Sequence, residues 1–329
     1  MAPPVLASLW RGGVCEGRIR GHIAVVDASD RLVGAAGDPT IVTTLRSCVK
    51  PIQALPFLEH AADELRASSV DVAIACSSHN GEEVHVAAVR RLLDLAGVDE
   101  AALRCGPQLP MDETAARRLI ATGDGPRPVH NNCSGKHAAM LATCAVLGWP
   151  LEGYIEAGHP CQRAVTAALA RLLEVDLGAA PWGIDGCGLP TYGVPLSAIA
   201  AAFARGDGAD SGFGRCEEAM QAHPHLVAGT GRFDTALLQG AGTRVVGKGG
   251  AAGVWAAVIR GGGPGVAIKL EAGAGEAMAP VALAVLRRLG ALDDALPAEL
   301  AGFAAPARRN WAGTPVGGIR VEESALDGL

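Results

Sequence analysis

The sequence contains very little lysine. Of its 28 basic residues only four are Lys, namely Lys50, Lys136, Lys248 and Lys269, and the arginines are scattered without forming a basic stripe. The net charge is -6 and the pI is near 5.9. This balance argues against nucleic acid or an anionic membrane as partner and favours small-molecule chemistry. A chain so biased toward Arg keeps Lys where Arg would not serve.

Long apolar runs are also missing. No window reaches the roughly 18 to 20 uninterrupted apolar residues of a membrane span, and the first residues do not form a basic stretch followed by an apolar run. We therefore expect a cytoplasmic location and no membrane partner. The nine Cys are an odd number, and several lie within apolar helical patterns, so we expect buried free thiols in a reducing compartment.

Apolar patterning places strands near both ends of the chain and helices between them. Predicted strands lie at 5–10, 22–27, 31–36, 243–248, 252–260, 264–270 and 316–322. A helix is predicted from Ser47, and others at 82–97, 112–122, 135–148, 159–174, 192–206 and 275–289, with a Gly- and Asp-rich surface loop at 204–214. This order predicts the α+β class, with an antiparallel sheet from about 1–45 and 240–329 beside a helical part at about 46–239. We expect one domain spanning 1–329.

The stretch RSCVKPIQ, residues 46–53, places a serine three residues ahead of a lysine. On a helix, Ser47 and Lys50 would share one face within mutual reach. A helix start there would add backbone N–H groups that stabilise a serine alkoxide. A lysine that acts as a base must lose its proton, which Arg does not do in proteins. Ser-x-x-Lys also occurs by chance on protein surfaces, so this spacing alone does not establish a role.

Rare polar residues gather in two further stretches at predicted helix starts. ACSSHNGEE, residues 75–83, contains Ser78 and Asn80, and VHNNCSGKHAAM, residues 129–140, contains two of the four Asn in the chain. Hydroxyl, imidazole and amide groups at a helix start suit a polar ligand such as a carboxylate. The first stretch fits a simple helix cap equally well.

Two glycine-rich stretches follow. In WGIDGCGLPTYG, residues 182–193, glycines flank Asp185 and Cys187, so a ligand could approach the backbone closely. In VVGKGGAAGVW, residues 245–255, Lys248 ends a predicted strand beside two glycines. Cys133 and Cys187 could bind a metal ion, but no C-x-x-C motif or His pair at a standard spacing supports a zinc site.

Together these motifs resemble those of the Rhizobium etli type L-asparaginases, the class 3 or thermolabile asparaginase II family. RSCVKPIQALP, CSSHNGE, HNNCSGKHA, GIDGCGLP and GKGGAAGVW occur in family order from about residue 40 to 270. The resemblance implies an amidohydrolase that converts L-asparagine to L-aspartate and ammonia. It also implies a fold similar to serine β-lactamases and glutaminases, and a homodimer.

The resemblance assigns roles to individual residues. Two Ser-Lys pairs map to catalytic positions, namely Ser47 with Lys50 and Ser78 with Lys248, although KGG stands where KTG is expected and Lys269 stays an alternative. A zinc ion is implied, one per chain, bound by Cys133, Lys136 and Cys187, and tuning the substrate site. Residues proposed to bind the charged ends of the amino acid are Arg46, Asn80, His137 and Asp185.

Two other functions fit part of the same pattern. A glutaminase or β-lactam-recognising enzyme shares Ser-x-x-Lys, Ser-x-Asn and Lys-x-Gly in this order, but has no counterpart of the Asn-rich and Gly-Ile-Asp-Gly-Cys motifs. A zinc-dependent binding module or an inactive amino-acid sensor would not need both serines and all four lysines. The sequence leaves open whether Ser47 or Ser78 is the primary nucleophile and whether activity requires zinc.

Overall fold

The computed structural model describes residues 2–208 and 211–329. Its strands are β1 (Val5–Arg11), β2 (Val14–Val26), β3 (Leu32–Ala36), β4 (Val42–Thr44), β5 (Trp182–Ile184), β6 (Pro190–Pro195), β7 (Val245–Gly250), β8 (Val254–Ile259), β9 (Gly265–Leu270), β10 (Ala307–Arg309) and β11 (Pro315–Val321). Its helices are α1 (Lys50–Gln53), α2 (Leu55–His60), α3 (Ser69–Ala75), α4 (Glu83–Leu95), α5 (Glu113–Ala121), α6 (Ser134–Leu147), α7 (Pro160–Leu173), α8 (Leu196–Gly206), α9 (Gly212–Ala222), α10 (Pro224–Val227), α11 (Phe233–Gly240), α12 (Met278–Arg288) and α13 (Ala298–Ala304).

The chain forms two compact units. The first comprises Met1–Cys48, Gly193–Asp207 and Ala236–Leu329, and the second comprises Val49–Tyr192 and Gly208–Thr235. The boundary therefore falls between Cys48 and Val49, inside the Ser-x-x-Lys motif. The expectation of one domain spanning the whole chain stays a prediction.

The first unit is built on an antiparallel sheet. Its strands run in the order β10-β11-β1-β2-β9-β8-β7, and β3 also pairs with β2. Strands β8 and β9 are almost wholly buried and apolar, as expected for strands covered on both faces. Helix α8 packs on β2, β8 and β9. The predicted α+β class, with a sheet assembled from both ends of the chain, is confirmed.

The second unit is mainly helical. Helix α6 contacts α2, α3 and α4, and every residue from Ser134 to Cys144 is buried. A helix covered on all sides needs no polar face, which explains its nearly uniform apolar sequence. This packing fixes the positions of the polar residues in its first turn.

The structure corrects several predicted elements. Residues 190–195 form β6, so the helix predicted at 192–206 begins only at Leu196; Pro195 precedes it as its N-terminal cap residue. The helix predicted from Ser47 is instead a single 3-10 turn, Arg46–Val49, followed by the short helices α1 and α2. The predicted loop at 204–214 overlaps the last residues of α8 and the first residues of α9. Its residues 209 and 210 lie outside the described part.

All nine cysteines are free, and every one except the half-buried Cys15 is buried. Among the described residues, none of the helices is both long and apolar enough to cross a membrane.

Candidate active site

In the first unit, Ser47 follows a residue with unusual backbone geometry. Arg46 has a φ of 50°, in the left-handed region that residues with a side chain rarely adopt. Gly250, at the end of β7, lies against this turn: a Cβ there would be 3.1 Å from the Cys48 nitrogen and 3.3 Å from the Ser47 nitrogen. A side chain at this position would require the neighbouring backbone to shift by a few tenths of an ångström, so glycine fits the approach best. The end of β7 and the half-buried Ser47 are therefore neighbours within this unit.

Lys248 lies two residues before Gly250 on β7 and is fully buried. Its Nζ donates a hydrogen bond to the carbonyl of Gly249 at 2.8 Å. Lys269, the alternative lysine, lies on β9 and donates to the carbonyls of Ala252 and Leu270.

The strand register relates the two lysines. Lys248 is opposite Ala256, which is opposite Ala267, whereas Lys269 is opposite Val254. Because residues two apart on a strand share a face, Lys248 and Lys269 project from the same face of the sheet. Lys269 is only half-buried; burial and the charge of Arg46 lower its pKa, while Glu271 raises it.

In the second unit, Lys50 is fully buried. Its Nζ donates hydrogen bonds to the carbonyl oxygens of Ser77, at 2.5 Å, and of Asn132, at 3.2 Å. The single amine therefore connects the two Asn-containing motifs that the sequence singled out.

Ser78 and Asn80 follow α3 in a segment that is hydrogen-bonded to the last residue of α10 and to the residue after it. The Ser78 N–H donates to Val227 O and the Asn80 N–H donates to Ala228 O, both at 2.8 Å. The Ser78 Oγ is buried and has no hydrogen-bond partner among the described residues. A buried hydroxyl without a partner is costly unless a ligand or a reacting group uses it.

His137 lies in the first turn of α6 and is fully buried. Its Nδ1 is 2.7 Å from the hydroxyl of Tyr154, which accepts a hydrogen bond from the Arg104 N–H. Burial, together with the charges of Lys136 and Lys50, holds its pKa well below the ordinary value. Its Nε2 has no hydrogen-bond partner among the described residues. This nitrogen of the neutral ring is therefore available to hydrogen-bond a ligand.

The predicted metal ligands come together in the second unit. Helix α6 begins directly after Cys133, and Lys136 lies in its first turn. The Lys136 Nζ is 3.6 Å from the Cys187 Sγ. Zn–S bonds near 2.3 Å and Zn–N bonds near 2.0 Å at a tetrahedral angle give an S···N separation of roughly 3.5 Å. The 3.6 Å between the Lys136 amine and the Cys187 sulfur therefore fits two donors to one zinc ion.

The charge state of these groups is coupled. The neighbouring thiol of Cys187, aided by Lys50 and Lys136, lowers the Cys133 pKa well below its ordinary value in spite of burial. The proximity of Cys133 and burial raise the pKa of Cys187. Burial alone would lower the Lys136 pKa, but both thiol groups and Asp185 raise it. A thiolate is the form that binds metal.

Asp185 lies in the tight turn that carries Cys187. Its N–H donates to Leu189 O and its carbonyl accepts from Gly188 N–H, while its side chain accepts from Gly186 N–H at 2.7 Å. The turn therefore places a half-buried carboxylate near the amine of Lys136.

Four residues of this region were not predicted from the sequence. Tyr154 orients His137, Glu82 and Thr230 bond to the Asn80 side chain, and the Arg232 Nη1 donates to Asn80 Oδ1. Tyr154 is one of only two Tyr, which is a usable signal. Thr230 and Arg232 lie 150 and 152 positions after Asn80, and no spacing rule connects residues so far apart.

Buried amines, an unpartnered serine hydroxyl and neutral imidazoles are the groups that hydrolases use at carbonyl centres. The L-asparaginase II family model matches residues 7–321 of the chain. The chain therefore belongs to the L-asparaginase II family, and it is an L-asparaginase. The finer Rhizobium etli type assignment stays a prediction.

Other comparisons add little. No curated protein matches the chain. Among solved structures, a β-lactamase from Mycobacterium bovis matches with a TM-score of 0.36 and 16% identity, over 82% of this chain and 94% of that chain. A likeness this weak carries no inference about the present protein.

Proposed function

We propose that the chain hydrolyses L-asparagine through a covalent ester on Ser47, with Lys50 as the general base. The observation that supports this most directly is the position of the Lys50 amine, which is fully buried and bonded to the backbone beside Ser78 and Cys133. Ser47 and Lys50 are also three residues apart in the sequence, the spacing from which the pair is proposed.

The reaction requires Lys50 to be neutral when it accepts the Ser47 proton. The Ser47 oxygen then forms a bond to the side-chain carboxamide carbon, and the C–N bond breaks as the nitrogen takes up this proton from Lys50 and leaves as ammonia, so that Lys50 is neutral again. A water molecule, losing a proton to the same base, attacks the ester carbon. L-Aspartate leaves and the Ser47 hydroxyl is restored.

The remaining predicted residues fit supporting roles in this scheme. Ser78 and Lys248 relay protons, and Arg46, Asn80, His137 and Asp185 bind the charged and polar ends of the amino acid. The neutral His137 ring can donate from Nε2 when its Nδ1 accepts the Tyr154 proton.

Zinc, when bound, would act as a Lewis acid or structural ion held by Cys133, Lys136 and Cys187. We propose that this chain's ligands then hold α6 and the Asp185 turn in fixed positions, which tunes substrate binding. Lys136 would have to give up its proton to serve as a ligand.

The decisive assay measures ammonia release from L-asparagine and L-glutamine, with nitrocefin hydrolysis as a control for a β-lactam-recognising site. We expect asparagine to be the faster substrate and nitrocefin to be unchanged. Faster glutamine turnover would identify a glutaminase and overturn the substrate assignment. Light scattering in the same buffer tests the homodimer that we also propose.

The metal proposal predicts that the protein with Cys133→Ser and Cys187→Ser loses its zinc. Elemental analysis of the unchanged protein should give about one zinc per chain, and the double variant close to none, because both sulfur donors are gone. Cys15→Ser, at a half-buried cysteine outside this cluster, is the control and should retain zinc. Undiminished zinc in the double variant would place the ion elsewhere.

The assignment of the second lysine predicts unequal effects of two matched substitutions. Lys248→Met should lower kcat by about 100-fold, because Lys248 is fully buried on the strand whose end lies against Ser47. Lys269→Met should change kcat by less than about threefold, because its amine is half-buried beside backbone carbonyls. The reverse order of effects would reassign the role to Lys269.

A further inference from the structure

The segment from Gly229 to Arg232 is fitted closely to the Asn80 side chain. Gly229 has a φ of 119°, and a Cβ there would lie 2.4 Å from Glu82 Oε1 and 2.8 Å from Asn80 Nδ2. Only glycine permits both the conformation and the approach. The Thr230 carbonyl then accepts a hydrogen bond from Asn80 Nδ2 at 3.0 Å.

Glu82 secures this segment with one carboxylate. Its Oε1 accepts from Thr230 N–H at 2.8 Å and from Asn80 Nδ2 at 3.3 Å, and its Oε2 accepts from the Thr230 hydroxyl at 3.1 Å and lies 2.9 Å from His225 Nε2. Burial alone would raise the Glu82 pKa, but the hydrogen bonds with Thr230 and His225 and the charge of His85 lower it. The carboxylate is therefore ionised and fully engaged.

The ligand atoms of Glu82, His85 and His225 lie within 4.8 Å of one another, close enough for a metal ion. However, His85 Nδ1 accepts from Glu82 N–H and its Nε2 bonds to the His225 carbonyl. The His85 ring also stacks on His79 and on His225. Both His85 nitrogens are hydrogen-bonded to the backbone and are not available to a metal ion. The cluster therefore supports the segment from Gly229 to Arg232 and is not a metal site.

Arg232 is the charged residue at the end of the segment from Gly229 to Arg232. It is half-buried, its Nη1 donates to Asn80 Oδ1 at 2.8 Å, and its other contact is the Met111 sulfur at 3.9 Å. None of the ion pairs formed within the described residues includes Arg232. The guanidinium therefore lies next to Asn80, two residues from Ser78, and forms no direct ion pair with a carboxylate of the described residues.

We propose that Arg232 binds the α-carboxylate of the amino-acid substrate. This inference rests on the proposed asparagine hydrolysis and adds the residue that recognises one end of the substrate. A guanidinium is suited to carboxylates because its planar N–H groups match both oxygens. Asn80 holds the guanidinium in place, and Glu82 is a positioning residue that holds Asn80 and Thr230.

The test combines Arg232→Gln with three substrates that differ by one charged group. L-Asparagine has both α-substituents, succinamate lacks the ammonium group, and β-alaninamide lacks the carboxylate. In Arg232→Gln, kcat/KM should fall about 10- to 100-fold for asparagine and succinamate, mainly through KM, and by less than about threefold for β-alaninamide. Arg232→Lys, which keeps the charge, should recover part of the loss.

Arg118→Gln, at an exposed arginine on α5, is the control and should leave all three rates unchanged. If β-alaninamide is turned over too slowly to follow, its inhibition constant against asparagine replaces kcat/KM and should not change in Arg232→Gln. An equal loss for all three compounds would make Arg232 purely structural and overturn the inference. Failure of the unchanged protein to hydrolyse asparagine would instead contradict the proposed function.

Should Arg232→Gln fold poorly, asparagine binding is measured by calorimetry to Ser47→Ala with and without Arg232→Lys. The lysine lacks the two-pronged contact, so affinity should fall at least about threefold. Unchanged affinity would count against a carboxylate contact.

Discussion

Replacing Ser47 with alanine should reduce kcat on L-asparagine by at least about 10,000-fold, because the oxygen that forms the ester would be missing. Steady-state ammonia release measures the loss. Acid quenching of the unchanged protein during turnover should give a mass increase on the peptide that contains Ser47. The equivalent peptide of Ser47→Ala should show none.

Two serine variants complete this comparison. Ser69→Ala, at a side chain that bonds to His223 on the protein surface, should retain normal turnover. Ser78→Ala should retain the covalent adduct on Ser47 while slowing its formation. An adduct on the Ser78 peptide, or full activity of Ser47→Ala, would reverse the assignment of the nucleophile.

Lys50→Met should lower kcat by about 100- to 10,000-fold, the range that general-base catalysis contributes. Methionine has nearly the same length and apolar stem as lysine but no amine. Lys50→Arg should be as inactive, because a guanidinium keeps its proton at any pH at which proteins are handled. Ammonia release at saturating asparagine is the measurement.

The Lys50 substitutions should also affect stability. Without the amine, the carbonyls of Ser77 and Asn132 lose their buried donor, at a cost of about 1 to 3 kcal/mol each. Thermal unfolding therefore has to accompany the assay, so that inactivity is measured on folded protein. A folded Lys50→Arg protein with normal turnover would exclude lysine as the base.

The fold class was predictable from the sequence because strand-like and helical patterns occupy different parts of the chain. The individual errors have physical causes. Helix α3 was not predicted, because its seven residues are too few for a helical period to show. Residues 190–195 alternate in burial as a strand, although the apolar sequence that follows continues as a helix.

The candidate site was predictable only where rare residues cluster along the sequence. Lysine scarcity and asparagine clustering indicated Lys50, Lys136 and Asn80. The role of Arg232 could not be found this way, because its partner Asn80 lies 152 positions earlier and the chain contains many other arginines. Tertiary packing, not spacing, creates that pair.

The burial of the sulfur atoms has a consequence for the durability of the protein. Oxidation of cysteine depends on access as well as on thiolate character. Cys133 and Cys187 are within the folded interior, whereas Cys15 is partly open to solvent. Peroxide in the medium would therefore reach Cys15 most easily, whereas the folded chain around Lys136 limits its access to Cys133 and Cys187.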